Sequence, residues 1–169
     1  MTVLLAPLRV AAWALGARRT GMGVRTARFD GSALVVAGLC GAIDPTLRPG
    51  DLVVASEVRG DGEPVECATE LAAALGARIG PILSLDHVAG PEERASLAST
   101  GALAVDMESY WLARSAGDRP DAVVRAVVDR ADRRLLDPRT LVDGPKALLV
   151  LRHAAPVLRA WRPLDSEEQ

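Results

Sequence analysis

The run Val123-Val124-Arg125-Ala126-Val127-Val128-Asp129-Arg130-Ala131-Asp132 limits what this chain can become more than any other stretch. Four of its first six residues are valine, and the run then breaks into charge. A strand buried on both faces reads this way, because both sets of its side chains must be apolar. The acid that ends the valine run, Asp129, then stands at the carboxyl end of a parallel strand. Open α/β sheets bind their ligands at that end. Desolvation there would raise the pKa of Asp129 and suit it to proton transfer. We therefore expect Asp129 to be a catalytic acid. The competing expectation is an aspartate that merely caps the following turn.

The rest of the chain alternates strand-like and helix-like segments. Residues 2–6, 33–37, 52–57, a stretch within 78–85, and 102–105 are short apolar runs expected to be strands. Residues 8–15, 67–75 (stopped by Gly76), 91–99 (opened by Pro91, Glu92 and Glu93) and 106–114 carry helical signals. A proline-containing loop, 133–145, leads to a terminal helix over 146–162, expected to break near Pro156. No repeat or linker divides the chain. The pattern predicts one α/β domain over residues 1–169, with 163–169 as a frayed tail.

Composition narrows the function classes. A net charge of −2 gives no electrostatic case for nucleic acid. Two cysteines, Cys40 and Cys67, and two distant histidines, His87 and His153, make neither a disulfide framework nor a zinc site, so no metal is expected. Residues 1–15 are apolar, but Pro7 and Arg9 interrupt them and no basic segment precedes them, so they read as strand plus helix start, not as a signal peptide. No run is clean enough to span a membrane, and the default location is cytoplasmic. The terminal helix mixes apolar residues, arginines and Trp161, which leaves two expectations. One is a helix packed on the domain or a neighbouring subunit. The other is peripheral contact with the inner face of a membrane.

Two glycine-containing segments sit where backbone could approach a ligand. Gly21-Met22-Gly23 is a tight turn that lacks the third glycine of a dinucleotide fingerprint, since Thr26 falls there. Gly38-Leu39-Cys40-Gly41 is expected to be a loop leaving the 33–37 strand.

Three stretches taken together resemble the nucleoside phosphorylase/nucleosidase superfamily. They are residues 36–41 with 49–54 (VAGLCG and PGDLVV), residues 104–109 (AVDMES), and the Val124-to-Asp132 run. Within that superfamily the chain looks most like hopanoid-associated phosphorylases, which are thought to remove adenine from adenosylhopane. Methylthioadenosine/S-adenosylhomocysteine nucleosidases and futalosine hydrolases are relatives in the same fold. The resemblance implies a three-layer α/β sandwich with a central mixed sheet, and cleavage of an N-glycosidic bond. It implies that Asp129 protonates the leaving base, that Glu108 holds the ribose hydroxyls, and that Met107 packs on the sugar. It implies base contacts at Val88, Val128 and Asp129, and a nucleophile or phosphate loop at Gly38, Cys40 and Gly41, with Gly21 and Gly23 lining the same pocket. No organic cofactor is expected, phosphate is a candidate co-substrate, and many relatives are homo-oligomers. The substrate would be a small nucleoside, lipid-linked in the hopanoid reading.

The sequence also departs from the family. Hydrolases of this group carry a glutamate early in the first helix, and the best-matching position here is Ala11. Alanine activates no water, which leaves open a loss of hydrolysis, a nucleoside-binding protein without turnover, or attack by phosphate. Val128 stands where nucleosidases often have a serine. Residues 24–32 are too few for the helix that normally joins these strands.

Overall fold

The computed structural model describes residues 2–7, 9–20, 33–117, 121–133 and 140–163. Gly21, Gly23 and the tail beyond residue 163 fall outside these residues. The valine run forms β8 (Asp121–Asp129), buried along its whole length. Its even positions Ala122, Val124, Ala126 and Val128 pack into one apolar cluster, and Val123 and Val127 into a second. Period-two alternation thus places apolar residues on both faces, each buried valine contributing roughly 2 kcal/mol.

β8 lies parallel to β3 (Ala33–Ala42) and antiparallel to β4 (Leu52–Arg59). β4 pairs in parallel with β6 (Arg78–Ser84), and β6 in parallel with β7 (Ala104–Asp106). β7 returns antiparallel to the last two residues of β3, so the central mixed sheet closes on itself like a barrel. β1 (Thr2–Ala6) pairs with the first half of β3 and carries β2 (Arg18–Arg19) on its other edge. β5 (Val65–Glu66) pairs with β4. Helices α1 (Arg9–Leu15), α2 (Leu71–Leu75) and α5 (Thr140–Ala160) cover one face, and α4 (Ser109–Arg114) covers the other. α3 (Pro91–Leu97) follows β6. This is the single α/β domain with a mixed central sheet that the sequence implies.

Four local expectations need correction. β3 does not end at Ala37 in a glycine loop; it continues through Gly38 and Gly41 to Ala42, with a register shift at Cys40/Gly41. The glycines there serve close approach, not a turn. α2 begins only at Leu71, because the backbone N–H groups of Cys67 and Ala68 donate to Ser56 and Asp121 carbonyls instead. Gly76 does end it, with φ of 59° in the left-handed region. α4 begins at Ser109, so Glu108 precedes the helix and is not a first-turn acid.

The terminal helix starts earlier than expected and runs unbroken through Pro156. An interior proline costs about 3 kcal/mol in an isolated helix. Here Ala147, Leu151, Ala154, Ala155 and Leu158 are buried against the sheet and α1, and that burial outweighs the lost hydrogen bond. The Arg159 guanidinium also donates to the Leu15 carbonyl at the end of α1. Among the described residues no helix is long and apolar enough to cross a membrane.

Candidate active site

A pocket of about 170 Å³ opens where the carboxyl ends of β8, β3 and β7 meet. Its walls are mostly apolar, with Pro7, Leu39, Val88, Ala89, Val105, Met107 and Val128 among them. Its polar floor holds Asp129, Arg94, Arg125, Asp106 and Glu108, all almost completely buried.

Asp129 is the last residue of β8 and only 1 % exposed. Its Oδ2 accepts a hydrogen bond from Arg94 Nη2 at 2.9 Å. Its Oδ1 is buried with no hydrogen-bond partner among the described residues. Burial pushes the carboxyl pKa above the ordinary aspartate value, and the Arg94 guanidinium offsets part of that rise. An acid so placed has one oxygen held and one left without a partner, in a residue that lines the pocket.

Arg94 carries no signal of this in the sequence. It sits midway along the short α3, after Pro91, Glu92 and Glu93, where an arginine reads as surface charge. In the structure it is 2 % exposed. Besides Asp129, its Nε donates to the Ala89 carbonyl at 3.0 Å and its Nη1 to the Arg130 carbonyl at 3.3 Å. The guanidinium lies across Gly41, where a Cβ would come within 2.7 Å of Arg94 Cζ.

Arg125, which the family resemblance implies is structural and not catalytic, also reaches the pocket. It is fully buried on β8, on the face of Asp129, beside its strand partner Gly38. A Cβ on Gly38 would lie 2.0 Å from Arg125 Nη1. The two glycines of β3 thus clear space for the two guanidinium groups. Arg125 Nε lies 2.7 Å from Asp106 Oδ2 and donates to Ser109 Oγ at 2.9 Å. Both terminal nitrogens, Nη1 and Nη2, are buried without partners among the described residues. Arg125 is among the residues that line the pocket, and its guanidinium brings positive charge to that floor. Strict alternation along β8 puts Asp121, Arg125 and Asp129 on one face, and that periodicity was the available signal.

Asp106 organises the floor. Its carboxylate accepts from Ser84 Oγ at 2.6 Å, from the N–H groups of Glu108 and Ser109 at 3.3 and 3.2 Å, and from the Ser109 hydroxyl. Ser84 Oγ in turn receives the Tyr110 N–H at 2.9 Å. The turn between β7 and α4 is thereby fixed, with Met107 and Glu108 on the pocket wall.

The other expected site residues divide as follows. Val88, Val128, Cys40 and Gly41 line the pocket. Val88 stands half exposed at the mouth, beside His87, whose ring meets Asp86 and Glu93 at 2.8 and 2.9 Å. Cys40 is buried on β3, which holds its thiol well above the usual range, so it is no thiolate nucleophile. Gly38 borders Arg125 and Pro7. Ala11 is fully buried in the apolar cluster of α1 and α5 and is not among the pocket walls; Pro7 is the N-terminal residue that reaches them. Among the described residues no group of three or more His, Cys, Asp or Glu side chains could hold a metal ion.

The sequence matches no protein-family model and no curated protein. In three dimensions the chain is similar to many solved structures. One is 5′-methylthioadenosine/S-adenosylhomocysteine nucleosidase from Helicobacter pylori, at 15 % identity and a TM-score of 0.72, covering 94 % of this chain and 96 % of that one. Another is 5′-methylthioadenosine nucleosidase from Arabidopsis thaliana, at 14 % identity and a TM-score of 0.76, covering 96 % of each chain. A third is futalosine hydrolase from Helicobacter pylori, at 15 % identity and a TM-score of 0.71, covering 94 % of this chain and 95 % of that one. At these identities the likeness establishes the fold.

Proposed function

We propose that this chain cleaves the N-glycosidic bond of an adenosine-type nucleoside and releases adenine. The observation that carries the reading is Asp129. It is a buried carboxyl at a strand end with one oxygen held by Arg94 and the other unpartnered at a pocket floor. A purine anion leaves poorly, so an acid must protonate its imidazole ring as the bond breaks. The ribose then becomes oxocarbenium-like. Glu108, which also lines the pocket, would hold ribose hydroxyls and stabilise that positive charge. The Arg125 guanidinium in the pocket lining would position the attacking oxygen.

Shared fold with methylthioadenosine nucleosidases and a futalosine hydrolase supports a substrate of that kind, cleaved by water. Two finer readings rest on particular observations. The Arg125 guanidinium in the pocket lining suits an anion, which favours phosphate as nucleophile. The apolar mouth of Pro7, Leu39 and Val88 favours a lipophilic adenosyl compound such as adenosylhopane.

The test is adenine release from methylthioadenosine, S-adenosylhomocysteine and a lipophilic adenosyl compound, each with and without phosphate. Release without phosphate is the expected result for a nucleosidase, and dependence on phosphate makes it a phosphorylase. Binding of adenosine without release from any compound would replace the enzyme by a nucleoside-binding protein.

A further inference from the structure

The Asp129 carboxyl is gripped at one oxygen by a guanidinium that is itself held in place from two other sides. Arg94 spends its three nitrogens on three different places: the Ala89 carbonyl in the pocket wall, the Arg130 carbonyl beyond β8, and Asp129 Oδ2. The pair is sealed from solvent, with side-chain exposures of 3 % and 0 %. Gly41 leaves the gap in which the guanidinium lies. The other cation of the floor, Arg125, is committed to Asp106 and Ser109.

We propose that Arg94 is a positioning residue for the reaction: it pins Oδ2 of Asp129, so that Oδ1 alone carries the proton to the base, and it neutralises the carboxylate left behind. The proposal rests on the glycosidic-cleavage reading above. In the step itself, the O–H bond at Oδ1 breaks and an N–H bond forms on the imidazole ring of the base. The electron pair of the C–N bond leaves with the base, which departs as neutral adenine, and the anomeric carbon gains a C–O bond from water or phosphate, water losing its proton to solvent. Asp129 is left as a carboxylate whose charge faces the Arg94 guanidinium. An ion pair formed during the step stabilises its transition state, where a pair present throughout would only add binding. Solvent returns the proton once adenine has left.

A merely structural Arg94 would tie the wall to β8, and its loss would lower stability and raise KM. A positioning Arg94 also sets the pH at which Asp129 ionises. The experiment compares wild type, Arg94→Lys and Arg94→Met by the pH dependence of kcat/KM for adenine release. In parallel, the 13C carboxyl signal of Asp129, assigned by its absence in Asp129→Asn, is titrated without substrate. Activity falls as pH rises through the Asp129 pKa, because the acid must be protonated. Removing the cation raises that pKa, so in Arg94→Met the falling limb and the titration both move to higher pH, by about one unit or more. At the plateau, kcat falls about tenfold or more. Arg94→Lys returns the limb most of the way toward wild type.

Should Arg94→Met fail to fold, Gly41→Ala serves instead. The new Cβ would come within 2.7 Å of Arg94 Cζ while leaving both partners chemically intact, and the same upward shift is expected. An active wild-type enzyme whose variants keep both limb and titration in place overturns the positioning role and leaves the functional reading standing. A wild-type chain that releases no adenine overturns the functional reading, and the role of Arg94 with it.

Discussion

Asp121 and Asp129 stand at opposite ends of β8, on the same face, and both are buried. Roughly 26 Å of strand separates them. Burial raises the pKa of each. At the Asp121 end no cation among the described residues pairs with it: the Cys67 thiol donates to Oδ2 at 3.5 Å, and burial pushes the carboxyl up to about 6. At the Asp129 end a buried guanidinium holds one oxygen, the other has no partner among the described residues, and the residue lines a pocket. A perturbed acid is therefore not enough to mark a site. What separates the two ends is a cavity, a counter-charge and an oxygen left over.

The largest expected difference between them is in activity. Asp129→Asn removes the proton donor and should lower kcat by about 10²- to 10⁴-fold. Asp121→Asn should leave kcat within about twofold, since Asp121 is not among the pocket walls. Steady-state adenine release on both variants decides it. Equal losses would erase the distinction between the two ends.

Next in size is the pH dependence of stability. Asp121 has a folded-state pKa of about 6 against an ordinary 3.8, so the folded protein binds its proton more tightly than the unfolded chain does. Its stabilising effect is complete below about pH 4 and is lost as pH rises to about 6. Asparagine does not titrate. Between pH 4 and pH 7 the wild type should therefore lose about 2 kcal/mol relative to Asp121→Asn, read from urea unfolding at each pH. Parallel curves for the two proteins would show that Asp121 is already solvated.

The two ends also differ in what the sequence disclosed. β8 and its closing acid are visible as a valine run that breaks into charge, because burial on both faces leaves no other composition. The pocket wall at Met107 and Glu108 was visible only through the Asp-Met-Glu resemblance. Arg94 was not visible at all. It is separated from Asp129 by 35 residues, and the missing side chain that admits it belongs to Gly41, on another strand. Glycines in β3 suggested a loop because glycine weakens strands, and only the packed structure reveals that they make room for arginines. The same non-local burial carries α5 through Pro156.

That pairing of glycine and guanidinium sharpens the comparison further. Gly38→Ala would drive a methyl group to within 2.0 Å of Arg125 Nη1. The backbone there is ordinary strand, so the strain is steric alone. Arg125 cannot withdraw without uncovering Asp106, its partner at 2.7 Å. Overpacking of this kind costs about 1–3 kcal/mol. The variant should lose that much stability together with about tenfold in kcat/KM, measured by thermal melting and adenine release. Unchanged melting would mean that the floor adjusts freely and that Gly38 is not the reason Arg125 sits where it does.

The smallest effect belongs to the rim above the Asp129 end. His87 joins Asp86 and Glu93, clasping the loop before α3 to the residue beside Arg94. Both carboxylates raise its pKa, so the clasp is charge-assisted at low pH and weakens as pH rises through that value. The ring is exposed to solvent, which screens the interaction. His87→Ala should raise KM by about twofold at pH 6, with the difference gone by about pH 9 and kcat unchanged throughout. A change in kcat, or a tenfold change in KM, would mean that the rim is coupled to the acid through Glu93 and Arg94. The contrast between the two ends of β8 would then rest on the whole 86–94 segment, not on one guanidinium.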